Sequence, residues 1–571
     1  MRRELASLRI RLIFCMIVLF AAVIISRLYF VQIVSGENYS TKADRQYLRP
    51  NSAVLNRGTI YFRTKNNELV TAASQKTGYL IAINPTILEN PEDALKKIST
   101  IIPIERDTFL SRAAKKTDPY EEVAKRVELE NGEKIKNLEI SGVSAFKEKW
   151  RFYPNDSTAA HVLGIMAFKG NDYAGRYGLE QYYESTLLRG NESSYSNFFV
   201  EIFSNVRKTL SDDDEREGDI VTSIEPSVQA ILERETEAIN KAWGSDYTGG
   251  IVIDPNNGEI IAMSMSPSFN PNDFKNEKDP NIFSNKLVED VFEIGSVIKI
   301  ITVASGIDSG AITAKTTYFD TGSVTLNNKT ISNFDKRGRG LVDMQSVFNE
   351  SLNTGAVFIM RAMGKDKFVD YMENFGLMEK SGIDLPNEAA PLANNLKSSQ
   401  EIDQASASFG QGLALTPILA TRAFSTLANG GVLIRPHIVT KINYKTGISD
   451  EVKFEEGRRV LKKETTTEVA RMLTKTVDEA LLGGSLKMPH YSVAAKSGTA
   501  QIALKNGKGY YEDRFLHSFV GYFPSYSPKY LVFLFTYYPK DSTRFAADTL
   551  AKPFFNIVKY LINYYEIPPD R

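Results

Sequence analysis

The spacing of hydrophobic positions changes along the chain, and each spacing predicts a different element. Helical spacing occurs over 91–100, 105–116 and 226–242. Two short apolar runs, 250–254 and 259–263, flank a Pro-Asn-Asn-Gly turn and predict a β-hairpin. Further strands are predicted at 197–203, 220–224, 491–495, 515–523 and 530–538, and a final amphipathic helix at 549–564.

The order of these elements predicts the fold class. Strands lie at both ends of the C-terminal region, and the segment between them, after residue 299 and up to about 427, is predicted to be mostly helical. This order is typical of an α+β domain in which helices pack on an antiparallel sheet. The chain has 571 residues, enough for more than one domain. Residues 37 to about 215 are polar and rich in short charged runs, which distinguishes them from the C-terminal region.

The N-terminus carries the most apolar segment. Residues 12–34 are apolar except at Ser26, Arg27 and Gln32, and this length predicts one transmembrane helix. Four arginines precede the segment and only Glu4 opposes them, so residues 1–11 are expected in the cytoplasm and the rest of the chain outside. A cleaved secretory signal is the alternative, because the uninterrupted apolar part is short.

Composition argues against several classes of function. The formal net charge is +0, which gives no electrostatic reason to expect a nucleic-acid partner. Cys15 is the only cysteine, so intramolecular disulfides and multi-cysteine metal sites are excluded. The four histidines lack ligand spacing and are expected to be structural. No metal and no cofactor is predicted.

Ser296 and Lys299 form the most informative pattern in the chain. A serine hydroxyl is a poor nucleophile unless a base takes its proton, and a neutral lysine one helical turn later can do so. The surrounding apolar residues predict a buried helix, and burial lowers the pKa of a lysine. The same Ser-x-x-Lys spacing recurs at Ser144 and Lys147 in a charged stretch, so the pattern alone carries little weight.

A second segment, Ser351-Leu352-Asn353, lies between predicted helices. Its hydroxyl could relay a proton, and its amide could bind a peptide bond. A third segment, Lys496-Ser497-Gly498-Thr499, follows an apolar strand, which places Lys496 at the predicted strand end.

The third segment suits the binding of an anionic ligand. Lys496 offers positive charge to a substrate carboxylate, and the hydroxyls of Ser497 and Thr499 stand beside it. A glycine at 498 would let the backbone approach a ligand closely. Lys-[Ser/Thr]-Gly occurs three more times in this chain, so it is the combination of three motifs in suitable settings that indicates a serine acyl-transfer site.

These motifs, in this order, resemble those of penicillin-binding proteins and serine β-lactamases. The chain looks like a class B penicillin-binding protein, most like the division-type (septal) transpeptidases, over nearly its whole length. Phe62 stands where that family usually has Asp, and Ile294 where proline is common. Further matching segments are Arg57-Gly58-Thr59-Ile60, Arg151-Phe152-Tyr153-Pro154, the run from Ala159 to Gly164, Gly178-Leu179-Glu180, the run from Phe409 to Gly412, and Thr416-Pro417.

The resemblance implies a role for each site residue. Ser296 would attack the D-Ala-D-Ala carbonyl of a peptidoglycan stem peptide, and Lys299 would accept its proton. Ser351 and Lys496 would relay protons to the leaving group. The implied substrate contacts are Asn353 to the donor peptide, Ser497 and Thr499 to the terminal carboxylate beside Gly498, and the backbone N–H groups of Ser296 and Thr499 to the oxyanion. β-Lactams would acylate the same serine.

The resemblance also implies an organisation and a location. The expected parts are a cytoplasmic tail (1–11), a transmembrane helix (12–34), an elongated pedestal or dimerisation-like domain (35–215) and a transpeptidase domain (216–571). The protein is expected in the cell membrane as a single-pass protein with its catalytic domain outside. Its expected partners are stem peptides, β-lactams, the membrane, a separate glycan polymerase and division-complex proteins.

Other functions stay open at this point. An elongation-type transpeptidase uses the same chemistry, and a D,D-carboxypeptidase or a β-lactamase would resolve the acyl-enzyme with water. A membrane-tethered β-lactam sensor would need a signalling route through about eleven cytoplasmic residues. A non-catalytic cell-wall scaffold would not need the four reactive side chains.

Overall fold

The computed structural model describes residues 56–169, 172–189, 217–453, 457–504, 509–540 and 545–571, together with Met16 and Phe20. The predicted strand at 197–203 lies outside the described residues, as does the predicted transmembrane helix at 12–34 apart from Met16 and Phe20. Across the ranges that are described, no helix combines the length and the apolar character needed to cross a membrane.

The chain divides into two compact units. The smaller includes Gln75–Trp150, and the larger consists of Arg57–Ser74 and Arg151–Arg571. The larger unit therefore contains two segments, 57–74 and the described part of 151–215, that precede residue 216 in the sequence.

The smaller unit packs three helices against antiparallel strands. Its helices are Pro91–Ser99, Arg106–Ala113 and Leu129–Lys136, and its strands are Glu121–Glu128, Val143–Phe152 and the second part of Leu69–Ile83. The predicted helices at 91–100 and 105–116 are thus confirmed. The side chain of Asn90 accepts a hydrogen bond from the backbone of Asp93, and Pro91 occupies the first turn, so the first helix begins where its sequence favours it.

A five-stranded antiparallel sheet is the centre of the larger unit. Its strand order is Ala494–Ala503, Tyr510–Phe523, Tyr530–Tyr537, Tyr247–Ile253 and Ile260–Ser266. The last two strands are the predicted hairpin. Side chains alternate between two cores: Val252 packs with the helices Pro226–Trp243 and Ala546–Tyr564, whereas Ile251 packs with the helices on the other face.

The second face of this sheet carries the helices that build the site. They are Lys299–Asp308, Asn353–Met363, Pro417–Ala428 and Lys463–Lys475, with Met344–Asn349, Lys365–Asn374 and Glu401–Ala407 around them. The α+β architecture with helices on an antiparallel sheet is the predicted one.

The prediction of a mostly helical middle is wrong between 317 and 343. Thr317–Asp320 pairs with Gly340–Asp343, and Ser323–Leu326 pairs with Lys329–Ser332. Asn327 and Asn328 both have positive φ, of 48° and 60°, which is the conformation of a tight hairpin turn that asparagine tolerates. The strands are only four residues long and largely exposed, so their apolar periodicity is weak.

The remaining elements are short. In the larger unit a second sheet contains Ile60–Arg63, the start of Leu69–Ile83, Gly218–Thr222, Val439–Tyr444 and Ser449–Glu451. Paired strands are Met166–Lys169 with Asp172–Gly175, Phe292–Glu293 with Ala414–Leu415, and Val432–Leu433 with Arg458–Arg459. The short helices are Ala160–Leu163, Gly178–Tyr182, Glu184–Leu187, Pro280–Phe283, Lys286–Glu289, Gly295–Ile298, Asn394–Lys397, Thr476–Ala480 and Leu481–Gly484.

Three of the sequence motifs meet at one buried carboxylate. Glu180 accepts 2.6 Å hydrogen bonds from Arg57 and from Arg151, and all three side chains are buried. Arg57 also reaches Glu184 at 2.8 Å. Burial alone would raise the pKa of Glu180, but the two guanidinium groups hold it below its ordinary value. Phe62 is fully buried in the apolar core, so an apolar side chain suits that position in this chain.

Candidate active site

Ser296 lies in a short 3₁₀ turn, Gly295–Ile298, and the α-helix begins only at Lys299. The expectation that both residues share one α-helix is therefore corrected. Residues i and i+3 eclipse each other in a 3₁₀ turn, so Lys299 still follows Ser296 on the same side. Ser296 is half-buried, and its hydroxyl makes no hydrogen bond to any described residue.

Lys299 is a fully buried amine. Its Nζ atom donates to the carbonyl oxygen of Ser351 at 2.5 Å and lies 3.2 Å from the Ser351 hydroxyl. Burial lowers the pKa of Lys299 well below its ordinary value, and the positive charge of Lys496 lowers it further. A neutral amine that donates its two hydrogens to Ser351 keeps a lone pair, which can accept the proton of a nucleophile.

Ser351 occupies a strained turn between the helices Met344–Asn349 and Asn353–Met363. Its φ is +54°, a left-handed conformation that a serine rarely adopts. Such strain persists only where neighbouring contacts hold it, and it is concentrated at functional sites. Its hydroxyl lies 3.3 Å from Lys496 Nζ, so two lysine amines converge on one serine.

The prediction that Lys496 ends a strand is wrong, because Lys496 lies within one. The strand begins at Ala494 and continues through the whole motif to Ala503, because polar and apolar residues alternate there and keep the strand period. Nζ of Lys496 donates to the carbonyl oxygen of Ser497 at 2.9 Å. Burial lowers the pKa of Lys496 to about 8.

The other residues of this strand divide between its two faces. Ser497 and Thr499 are half-buried and line a cleft, which Ser296 and Ser351 also line. Gly498 does not line the cleft. A side chain at 498 would lie 2.5 Å from the hydroxyl of Ser518 and 2.7 Å from the carbonyl oxygen of Ile294. The close approach that this glycine permits is therefore to the segment of Ser296, not to a ligand.

Two further glycines complete this backbone contact. A Cβ atom at Gly295 would lie 2.7 Å from the carbonyl oxygen of Thr499, and one at Gly410 would lie 2.2 Å from the carbonyl oxygen of Gly295. Both glycines have positive φ. The strand of Thr499, the turn of Ser296 and the loop of Gly410 thus touch backbone to backbone, which brings the N–H groups of Ser296 and Thr499 into one region.

Asn353 lines the cleft and is already held by the protein. Its side-chain amide donates to the carbonyl oxygen of Ser332 at 2.8 Å, and its backbone N–H donates to the side chain of Asn333 at 2.9 Å. Its side-chain oxygen accepts no hydrogen bond from the described residues, so it could accept one from a peptide N–H.

The cleft has a volume of about 800 Å³, which is the size of a typical ligand site. Phe334 and Phe545 form an exposed aromatic pair at its edge, with ring centroids 5.6 Å apart. Tyr510 lines the cleft and donates to Glu293 at 3.0 Å. Burial raises the pKa of Glu293, which also accepts a hydrogen bond from the backbone of Gly412.

Sequence reasoning missed these lining residues, because none belongs to a motif. The Asn327-Asn328 turn could have indicated the hairpin that leads to Phe334. Glu293 lies three residues before Ser296, but nothing in its spacing indicates its bond to Tyr510.

The histidines have structural contacts where the structure shows them. His161 and His517 are buried and bond to the carbonyl group of Ile282 and the hydroxyl of Thr549. Burial lowers the pKa of each of these two histidines to about 4. No cluster of three or more His, Cys, Asp or Glu residues that could hold a metal is found among the described residues.

Two family profiles match the chain. The profile described as the penicillin binding protein transpeptidase domain matches residues 248–558, and the one described as the penicillin-binding protein dimerisation domain matches residues 52–222. Together they account for most of the sequence, and the first alone covers more than half of it.

Similar proteins and structures agree with these profiles. Stage V sporulation protein D of Bacillus subtilis is 29% identical over 98% of this chain and 86% of its own length. The peptidoglycan D,D-transpeptidase FtsI of Buchnera aphidicola is 26% identical over 97% of this chain and 95% of its own length. The crystal structure of penicillin binding protein 2X from Streptococcus thermophilus has a TM-score of 0.72 at 20% identity and covers 89% of this chain and 79% of its own. Penicillin binding protein 3 of Mycobacterium tuberculosis, in complex with aztreonam, has a TM-score of 0.68 at 22% identity and covers 90% of this chain and 97% of its own.

Proposed function

The chain belongs to the class B penicillin-binding proteins, which makes it a peptidoglycan D,D-transpeptidase and a serine acyltransferase, and from this premise we propose that Ser296 is its nucleophile. The observation that carries the proposal is the convergence of two lysines of lowered pKa, Lys299 and Lys496, on the hydroxyl of Ser351, which lines the same cleft as Ser296. This arrangement supplies a base and a proton relay without a histidine.

Acylation uses the neutral lysine as its base. Ser296 Oγ attacks the carbonyl carbon of the penultimate D-Ala, and Lys299 Nζ takes the hydroxyl proton. The N–H groups of Ser296 and Thr499 stabilise the oxyanion of the tetrahedral intermediate, an interaction worth roughly 3 kcal/mol per donor in other acyl-transfer enzymes. The terminal D-Ala leaves as its amine, and its proton comes from Lys496 through the Ser351 hydroxyl.

Substrate orientation is assigned to the groups along the cleft. Ser497 and Thr499 hold the terminal carboxylate, with the positive charge of Lys496 next to them. The Asn353 carbonyl group accepts from the donor peptide. An amine of a second stem peptide then attacks the ester, which forms the cross-link and returns the proton to Ser296.

The first experiment measures whether the acyl group is transferred to an amine of a second stem peptide or to water. A separate polymerase first makes glycan strands that carry pentapeptides, and the full chain is then incubated with them. Both cross-linked dimers and free D-Ala are quantified. We expect dimers and D-Ala in equal amounts, and neither with Ser296→Ala. Release of D-Ala without dimers would indicate a D,D-carboxypeptidase instead.

A β-lactam distinguishes the hydrolytic alternative. The transpeptidase is expected to form a penicillin adduct that persists for many minutes. Rapid turnover of many equivalents of penicillin would identify a β-lactamase, and a complete lack of labelling would favour a non-catalytic scaffold.

The biological context of the proposal is septal cell-wall synthesis. Asn353 in the second motif and the serine in Lys496-Ser497-Gly498-Thr499 resemble the division-type pattern, and a relative named FtsI matches almost the whole chain. The apolar segment 12–34 supports a single-pass membrane anchor with the catalytic domain outside the cytoplasm. A tagged copy in growing cells should label the septum; label along the side wall would identify an elongation enzyme.

The proposed organisation follows from the same premise. We assign 35–215 to the pedestal and 216–571 to the transpeptidase domain, which the matched ranges 52–222 and 248–558 support. The partners we assign are a separate glycan polymerase and proteins of the division complex.

A further inference from the structure

Asn333 is a buried residue directly behind the Ser351 turn. It is 2% exposed, and its side-chain carbonyl accepts from the backbone N–H groups of Asn353 at 2.9 Å and Thr354 at 3.2 Å. These are the first two N–H groups of a helix, which have no partner within it. Leu352, at the capping position, has no polar side chain and forms no capping bond. Asn333, twenty residues earlier in the chain, therefore caps the helix in its place.

Asp320 holds this carboxamide in its orientation. Nδ2 of Asn333 donates to both oxygens of Asp320, at 3.1 and 3.0 Å. Asp320 also accepts from the hydroxyl of Thr354 at 2.8 Å and from the backbone N–H groups of Gly322 and Arg339. It is 1% exposed and forms no ion pair with any described residue. Loss of any one of these hydrogen bonds would leave a buried polar group unsatisfied, so the set holds the carboxamide in one geometry.

The strained serine is held from both sides. On one side Lys299 donates to the carbonyl oxygen of Ser351, and on the other Asn333 fixes the N–H of Asn353 two residues later. The φ of +54° at Ser351 would relax if either contact were lost. Its hydroxyl would then move away from the two lysines.

We propose that Asn333, oriented by Asp320, is a positioning residue that keeps the hydroxyl of Ser351 between Lys299 and Lys496. This inference rests on the relay role of Ser351 in the proposed function and extends it to the residues that place it. Asn333 touches no reacting atom; it acts through the backbone of Asn353.

An exchange of the two side chains tests this. Asn333→Asp keeps the size and the acceptor but puts two carboxylates together, and Asp320→Asn removes the charged acceptor of the carboxamide. The double variant restores one donor–acceptor pair between the two positions. Stopped-flow acylation by a fluorescent penicillin gives the noncovalent dissociation constant and the first-order acylation rate separately, and circular dichroism gives the folded fraction.

We expect each single variant to lower the acylation rate by on the order of tenfold to a hundredfold, as small misplacements of catalytic groups do. The noncovalent dissociation constant should change far less, and the double variant should recover most of the rate. Folded single variants that acylate at the wild-type rate would overturn the proposal. A double variant as slow as the slower single variant would do the same. If Asn333→Asp does not fold, Asp320→Asn carries the test, because it leaves Asn333 in place.

Ser351→Ala distinguishes a failure of the positioning role from a failure of the proposed function on which that role rests. If Ser351→Ala acylates at the wild-type rate, the relay role is wrong and the positioning role is wrong with it. If Ser351→Ala is slow but the Asn333 and Asp320 variants are not, the positioning role alone is wrong.

Discussion

Lys299 Nζ lies 2.5 Å from the carbonyl oxygen of Ser351 and 3.2 Å from its hydroxyl, so a lysine without exposed surface contacts both polar groups of a strained serine. The contact joins the helix that begins at Lys299 to the Ser351 turn. It also explains why this lysine can be buried, since both hydrogens of its neutral amine have acceptors.

Acylation should depend on pH with a rising limb set by Lys299 and a falling limb set by Lys496. The rate should rise as Lys299 loses its proton, because only the neutral amine is a base, and should fall as Lys496 loses its charge around pH 8. The measurement is the second-order acylation rate by benzylpenicillin from pH 5 to about pH 10, where an ordinary lysine titrates. Lys496→Arg is the control: arginine stays charged, so the falling limb should disappear although the rate is lower. A flat profile in the wild type would contradict the assignment.

Lys299→Met should remove activity without loss of stability. A lysine whose pKa is lowered by folding binds fewer protons in the folded state, so it destabilises the protein below its unfolded pKa of 10.5, by about 1.4 kcal/mol per unit of pKa shift. Wild-type stability should therefore rise with pH toward 10.5 more steeply than that of the variant. Urea unfolding at several pH values measures this. Lys559→Met, at an exposed position, should retain the wild-type slope; an equal slope in Lys299→Met would show that the lysine is not buried uncharged.

Gly498→Ala should slow acylation. The new methyl group would collide with the hydroxyl of Ser518 and the carbonyl group of Ile294, which pushes the strand away from the Ser296 turn. We expect a loss of up to about a hundredfold in acylation rate. Gly364→Ala is the control, because a methyl group at that glycine meets open space and only its positive φ opposes the substitution. It should cost about 1 kcal/mol of stability and leave acylation unchanged; equal effects of the two substitutions on acylation would contradict the packing argument.

Glu180→Gln should be strongly destabilising. It leaves the guanidinium group of Arg151 buried without a counter-charge and that of Arg57 with only the partly exposed Glu184, and the removal of one partner from such a cluster costs about 3–5 kcal/mol. Denaturant unfolding measures the loss. Glu184→Gln should destabilise the protein much less, because Glu184 is partly exposed and Arg57 would keep its ion pair with the buried Glu180. Similar losses for both variants would argue against a central role of Glu180.

The central sheet could be predicted because its strands are buried on one or both faces. The hairpin Tyr247–Ile253 and Ile260–Ser266 has nearly continuous apolar sequence around a turn that contains Gly258. The predicted strand at 491–495 stops before Lys496, whereas the strand in the structure is Ala494–Ala503. Polar side chains in its second half line a cleft, and such a polar segment is typical of a loop. The two strand pairs between 317 and 343 could not be predicted for a related reason: they bury few side chains and therefore show little apolar periodicity.

The motifs that carry the residues proposed to react could be found in the sequence, whereas the contacts that support them could not. Ser296, Ser351 and Lys496 each stand in a short motif, and the structure brings the three motifs to one cleft. Asn333 and Asp320 act through contacts that arise only when two hairpins fold back on the turn. The packing role of Gly498 could not be predicted either, because its contacts are distant in the sequence. Ile294 lies about two hundred residues before it, and Ser518 lies twenty residues after it.

The most direct test of the account is the position of the covalent adduct. Full-length protein and Ser296→Ala are treated with penicillin, and intact-mass and peptide mass spectrometry locate the added mass. We expect one adduct per chain, on the peptide that contains Ser296, and none in the variant, with unchanged circular dichroism. An adduct on the peptide of Ser351 or Ser497, or undiminished labelling of Ser296→Ala, would contradict the assignment of the nucleophile.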